Sequence, residues 1–197
     1  MTIHPFKIPL LILFTFVLSS FQTPPKAIVN KTEAQEAFQY LNEIRTNPEK
    51  FQDKFTFLSR QPVTRTKLVW NETLAKVAET KALDMANRNY FAHVDPDGYG
   101  INHFIHKAGY KLNKDWLGNK SDNNFESLAY GLQNGKAAIT CLIIDHGEPT
   151  LGHRKHLLGI GEWNDSLVDI GIGFVTIDRN EGYLNTYICV IIAKHDW

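Results

Sequence analysis

Leu167-Val168-Asp169-Ile170-Gly171-Ile172-Gly173-Phe174-Val175-Thr176-Ile177 and its sequel Tyr183-Leu184-Asn185-Thr186-Tyr187-Ile188-Cys189-Val190-Ile191-Ile192-Ala193 decide the fold. Both runs are rich in β-branched and aromatic residues, which pack well on a pleated surface. Asp178-Arg179-Asn180-Glu181-Gly182 between them is polar and ends in glycine, so the pair predicts a β-hairpin. Upstream the period changes. Ala34, Ala37, Phe38, Leu41 and Ile44 fall on one helical face, with Thr32 and Gln35 placed as a capping box. Asn47-Pro48 ends that helix, because the residue before proline avoids helical dihedrals. A second helix is expected from Asn71, a capping residue, to about Asn89, burying Leu74, Val77, Ala78, Ala82 and Met85. A short helix over 101–108 closed by Gly109, a strand over 125–130 and an Ala/Ile/Leu-rich helix over 136–145 complete the order. Residues 49–66 show no clean period, and 113–124 read as an exposed polar loop. Helices first, one strand in the middle and an antiparallel pair last argue for an α+β layered domain, since helices and strands do not alternate regularly.

The N terminus, Met1-Thr2-Ile3-His4-Pro5-Phe6-Lys7, leads into an almost wholly apolar run and then Ser19-Ser20, the order of a secretory signal. The run is shorter than the roughly 18 residues that cross a bilayer, which favours a cleaved signal over a retained anchor. The expected division is a signal peptide over 1–22, a spacer over 23–32 and one domain over 33–197. The mature chain would be secreted or periplasmic and not an integral membrane protein. Lys and Arg total 21 against 21 Asp and Glu, with no block of like charge, which argues against nucleic acid and against an anionic membrane as partner. Two cysteines, Cys141 and Cys189, are too few for a disulfide scaffold. Each lies in an apolar run that suits either a bridge between them or two buried thiols.

With eight histidines in the chain, the informative ones are those that cluster with acids at element boundaries. Three segments qualify: Tyr90-Phe91-Ala92-His93-Val94-Asp95-Pro96-Asp97-Gly98, Asn124-Phe125-Glu126-Ser127-Leu128-Ala129-Tyr130-Gly131, and Asp145-His146-Gly147-Glu148-Pro149-Thr150-Leu151-Gly152-His153-Arg154. Paired imidazoles and carboxylates suit a divalent transition metal, and they suit metal-free acid and base work equally.

These segments also carry a resemblance. Together with Leu41-Asn42-Glu43-Ile44-Arg45, Leu68-Val69-Trp70-Asn71-Glu72-Thr73-Leu74-Ala75, Ala108-Gly109-Tyr110 and Asp169-Ile170-Gly171-Ile172-Gly173, they resemble the CAP superfamily of cysteine-rich secretory, antigen 5 and pathogenesis-related proteins, in its bacterial SCP-domain branch. The resemblance implies a three-layer α-β-α sandwich with a central antiparallel sheet, and a cleft lined by two histidines and two acids. Carried over position by position, the cleft residues are His93, Glu126, Asp145 and His153, with Glu148 as the alternative to Asp145. His93 and His153 would be the metal ligands, and Zn²⁺ the first candidate. Phe125-Glu126-Ser127 departs from the family's Gly-Glu-Asn, keeping the acid and changing its flanks.

The function expected on this reading is an exported module whose cleft binds a divalent cation and an extracellular lipid, peptide or envelope component. The alternative is a metal-assisted or acid/base hydrolase of peptide or cell-envelope material, in which Glu126, Asp145, His93 and His153 would be catalytic. A third reading has the four residues only stabilising the domain. His103 and His106 share a helical face and could ligate together, although a solvated surface pair is the plainer reading. His146 and His156 flank the cleft segment. Arg154 would pair with a nearby acid, Asp95 and Asp97 would make a turn rather than a Ca²⁺ loop, and Trp70 would anchor packing. Ser127 lacks the Gly-x-Ser-x-Gly elbow of a hydrolase.

Overall fold

In the computed structural model, which describes residues 25–60, 63, 66–179 and 184–194, the elements run in the order β1 (Ala27–Val29), α1 (Lys31–Thr46), β2 (Val69–Trp70), α2 (Glu72–Arg88), α3 (Ile101–Lys107), β3 (Glu126–Tyr130), α4 (Gly135–Ile144), α5 (Gly152–Leu158), α6 (Glu162–Asp165), β4 (Asp169–Asp178) and β5 (Leu184–Ala193). The expected signal peptide over 1–22 lies outside the described residues. The two β-branched runs pair antiparallel along their whole lengths, from Asp169 opposite Ala193 to Asp178 opposite Leu184. β3 pairs antiparallel with the other side of β5, which makes it an edge strand. The free side of β4 is shared: β1 pairs antiparallel with residues 175–177 and β2 parallel with 169–170. The stretch expected as a spacer therefore supplies a strand, and the sheet has five.

Local chemistry sets the helix ends. Asn30, not the Thr32/Gln35 box, caps α1: its Oδ1 accepts from the Glu33 amide at 3.2 Å. Asn71 caps α2 through the Leu74 amide, and Asn89 closes it in the left-handed region at φ 54°. α4 starts at an Asn134 cap and stops at Ile144, with Asp145 left-handed at φ 52°. α5, a seven-residue helix entered through left-handed Leu151, carries no apolar period from which it could be predicted. Residues 48–51 and 56–59 form two short 3-10 turns in the stretch without period.

Strand register divides the layers. Leu128 lies opposite Cys189 and Cys189 opposite Gly173, so Glu126, Leu128, Cys189, Ile191, Gly171 and Gly173 share one face. α2 lies on that face, so close that a Cβ on Gly171 would stand 2.1 Å from the Ala75 amide nitrogen and one on Gly173 2.3 Å from the Ala78 carbonyl oxygen. The opposite face carries Ser127, Ile170, Ile172, Val190 and Ile192 and is covered by the packed α1, α4 and α5. Arg45 of α1 is fully buried in this layer with Nη1 on the Leu157 carbonyl, and burial draws its guanidinium down to about 10, a shift that Asp165 opposes. The result is the α-β-α arrangement with a central, largely antiparallel sheet.

Candidate functional site

Past the edge strand β3 the two layers meet. From the α2 side comes the loop after Asn89. Tyr90 donates its hydroxyl to Asp84 at 2.6 Å, and the Lys81 ammonium donates to the His93 carbonyl at 2.9 Å. Asp95 turns the chain by accepting from the amides of Asp97 and Tyr99 at 2.9 and 2.8 Å. These bonds deliver the His93 ring to β3, where its Nδ1 stands 2.8 Å from Glu126 Oε2. The other carboxylate oxygen, Oε1, accepts from the Cys189 thiol at 3.5 Å.

The second half of the site comes from α4 and α5. The His153 Nδ1 lies 2.7 Å from Asp145 Oδ1, while Asp145 Oδ2 accepts from the Arg154 amide at 3.2 Å. Contrary to the expectation that Arg154 would pair with a nearby acid, its guanidinium enters no ion pair among the described residues. Its Nε and Nη2 donate to the carbonyls of Ile143 and Ile144 at 2.8 and 2.5 Å, and its guanidinium sits 3.9 Å from the centre of the Phe57 ring. The last carbonyls of a helix lack intrahelical donors, so a cation there both satisfies them and meets the negative end of the dipole. This latch fixes α5 against the end of α4, and with it His153 against Asp145.

The two imidazoles face each other, ring centres 6.5 Å apart and planes 27° from parallel. The Glu126 and Asp145 side chains are 0% and 4% exposed, against 45% for His93 and 29% for His153. Buried carboxylates thus hold Nδ1–H of both rings and leave each Nε2 lone pair for something else, the arrangement by which a carboxylate sets a ligand histidine's tautomer and basicity. Among the described residues no group of three or more His, Cys, Asp or Glu converges as a metal cage. A cation between these rings would take two protein donors and complete its shell from water or a ligand. Two imidazole donors are too few for a closed structural Zn²⁺ site.

The structure separates the remaining candidates. Glu148 turns away to Thr150, whose hydroxyl it accepts at 2.8 Å, while Asp145 meets His153. His103 packs against Tyr99, ring centres 4.4 Å apart and planes tilted by 35°, and His106 is exposed beside Lys107. His146 is exposed, whereas His156 is sealed on the opposite face of the sheet. There its Nδ1 accepts from the Ser127 hydroxyl at 2.8 Å, and its Nε2–H donates to the Ile192 carbonyl. Burial pushes His156 down to about 4. Ser127 is 1% exposed, so this serine–histidine pair cannot meet a substrate. Trp70 packs on Phe38, with ring centres 5.3 Å apart. Both cysteines are free, Cys141 exposed and Cys189 buried. Lys81 and Cys189, which brace the first half of the site, carried no signal in the sequence: each read as an ordinary member of its element.

A family model for the cysteine-rich secretory protein (CAP) family matches residues 38–191. Among solved structures, an outer surface protein from Borrelia burgdorferi superposes with a TM-score of 0.56 at 16% identity, covering 86% of this chain and 98% of that one. An extracellular protein containing an SCP domain from Bacillus anthracis superposes with a TM-score of 0.50 at 22% identity; 83% of this chain is covered, but only 41% of the larger protein. No curated protein matches. Among the described residues no helix is long and apolar enough to cross a membrane. With its α-β-α layers, its two carboxylate-held histidines and a family match over most of its length, the chain belongs to the cysteine-rich secretory protein (CAP) family.

Proposed function

We propose that the protein is an exported CAP-domain module that holds a divalent cation, Zn²⁺ first, between Nε2 of His93 and Nε2 of His153, and presents it to an extracellular ligand. The observation that carries this reading is the pairing of each Nδ1 with a buried carboxylate at 2.7–2.8 Å, which leaves both outer nitrogens as lone-pair donors. The rim supports a ligand with apolar parts. Among the described residues Phe91 and Val94, which flank His93, and Tyr130, on the same face of β3 as Glu126, are exposed large hydrophobic residues. Phe91 and Tyr130 touch, with ring centres 5.8 Å apart. Lipid, peptide and envelope components all offer such parts.

Isothermal titration of the mature protein with Zn²⁺ is expected to show one site, absent in His93→Ala and His153→Ala. Asp145→Asn should weaken it by about 10–100-fold, the usual consequence of losing a carboxylate behind a ligand histidine. A folded wild-type protein that gives no heat would sink the reading. Hydrolysis is a second reading, favoured by the coordination positions that two protein donors leave for water. Zn²⁺-dependent cleavage of peptide or cell-envelope material, lost in His153→Ala, would decide for it.

A further inference from the structure

The guanidinium of Arg154 is fixed in place without using all of its donors. Nε and Nη2 donate to the carbonyls of Ile143 and Ile144, the group lies 3.9 Å from the centre of the Phe57 ring, and Nη1 has no partner among the described residues. A 3-10 turn over residues 56–59 brings up a second guanidinium. The Ser59 hydroxyl donates to the Thr56 carbonyl at 2.9 Å and the Arg60 amide to the Phe57 carbonyl at 3.0 Å, which sets Arg60 at the end of that turn. Thr56, Phe57, Ser59, Arg60 and Arg154 together line a pocket of about 440 Å³, within the range of small-molecule sites. No carboxylate lines it, and neither arginine enters an ion pair among the described residues. His93, Glu126, Asp145 and His153 are not among its walls.

Two like charges on one concave surface raise the local potential and draw in an anion. A guanidinium offers a planar fork of N–H groups that matches the oxygens of phosphate. A phosphate monoester carries a charge of about −1.5 to −2 at pH 7, enough to neutralise both arginines, where a carboxylate or a sulfate ester carries one negative charge. We propose that this pocket is a second binding site, for a phosphate monoester. Arg154 and Arg60 would share the phosphate oxygens, the Thr56 hydroxyl would add a donor, and the group that bears the phosphate would lie against Phe57. The site does not depend on the cation reading of the cleft.

Titration calorimetry with phenyl phosphate tests this, with phenyl sulfate as the singly charged probe of similar shape. A chelator is kept present so that a metal in the cleft cannot supply the contact. The full mature chain should bind one phenyl phosphate, and phenyl sulfate at least about tenfold more weakly, the scale of one charge-assisted hydrogen bond. Inorganic phosphate should bind more weakly than phenyl phosphate, since it has nothing to lay against Phe57. Arg60 is exposed, so Arg60→Gln should leave the fold intact and weaken binding at least about tenfold, while Arg60→Glu should abolish it. His153→Ala should bind as the wild type does. Absence of phenyl phosphate binding to folded protein, equal affinity for phenyl sulfate, undiminished binding by Arg60→Gln or Arg60→Glu, or binding lost in a folded His153→Ala would each overturn the proposal. Inorganic phosphate binding as tightly as the ester would overturn it in favour of a free-phosphate site.

Discussion

At the scale of single residues, the group whose environment departs most usefully from water is His156. Fully buried against Ser127 and Ile192, and close enough to Arg45, His93 and His153 to feel their charge, it refuses a proton until about pH 4. An unfolded chain protonates the same imidazole near 6.5. Between those values the unfolded state binds more protons than the folded one, so stability rises with pH across the window. The contribution is complete above about 6.5 and is lost as pH falls toward 4, amounting to about 3 kcal/mol. Urea unfolding at pH 7 and pH 4.5 should therefore show a steep acid loss in the wild type and a visibly smaller one in His156→Gln. Equal losses would mean that the imidazole is not sealed. The sequence offered His156 only as a flank of the cleft segment, because burial depends on which face of β3 its partner occupies. Glu126 and Ser127 are adjacent, yet strand alternation sends the acid to the cleft and the serine to the helices behind.

At the scale of elements, the contact that positions the first half of the site is α2 on β4. Gly171 and Gly173 admit the helix backbone where any Cβ would collide with main-chain atoms that no rotamer change can remove. Gly173→Ala should destabilise the domain by about 1–3 kcal/mol, the ordinary cost of forcing a methyl group into a packed interface. Gly118→Ala is the control, since the nearest atom to its Cβ is an Asp122 side-chain oxygen at 3.9 Å and its φ is −65°. If denaturant midpoints move equally for both, the close approach is not what these glycines serve. The β4–β5 pair and α2 were readable because ten and seventeen residues carry a clear period and an Asn cap. β1, β2 and α5 were not, since three, two and seven residues carry none. β1 and β2 exist because β4 has a free side to pair, and α5 is held in place by Arg154, whose own sequence neighbourhood does not reveal that it reaches back to the end of α4.

At the scale of the molecule, the sheet is a partition as well as a core. His93 reaches the cleft from the α2 layer and His153 from the α4–α5 layer, so no local spacing announces their approach, and the likeness to a known family was what grouped them. The same partition separates the two thiols. Cys189 points to the α2 face beside Glu126, and Cys141 stands exposed on α4 behind the opposite face. A bridge would have to pass through β5 or β3, well beyond the distance two Cβ atoms tolerate, which decides the alternative that composition left open. Burial also raises the Cys189 thiol well above its ordinary range, with Glu126 adding to the effect, so little of the reactive thiolate forms there. A thiol-reactive dye should accordingly label one cysteine per native chain, Cys141, and a second only after unfolding. The melting temperature should be the same with and without reductant. Labelling of none in the native and none in the denatured, unreduced protein would reveal a bridge and with it a different arrangement of α4 against the sheet. Two rapid labels in the native state would mean that the layer over Glu126 opens, and the His93 half of the cleft could not then be held as tightly as its bonds to Glu126 and Lys81 imply.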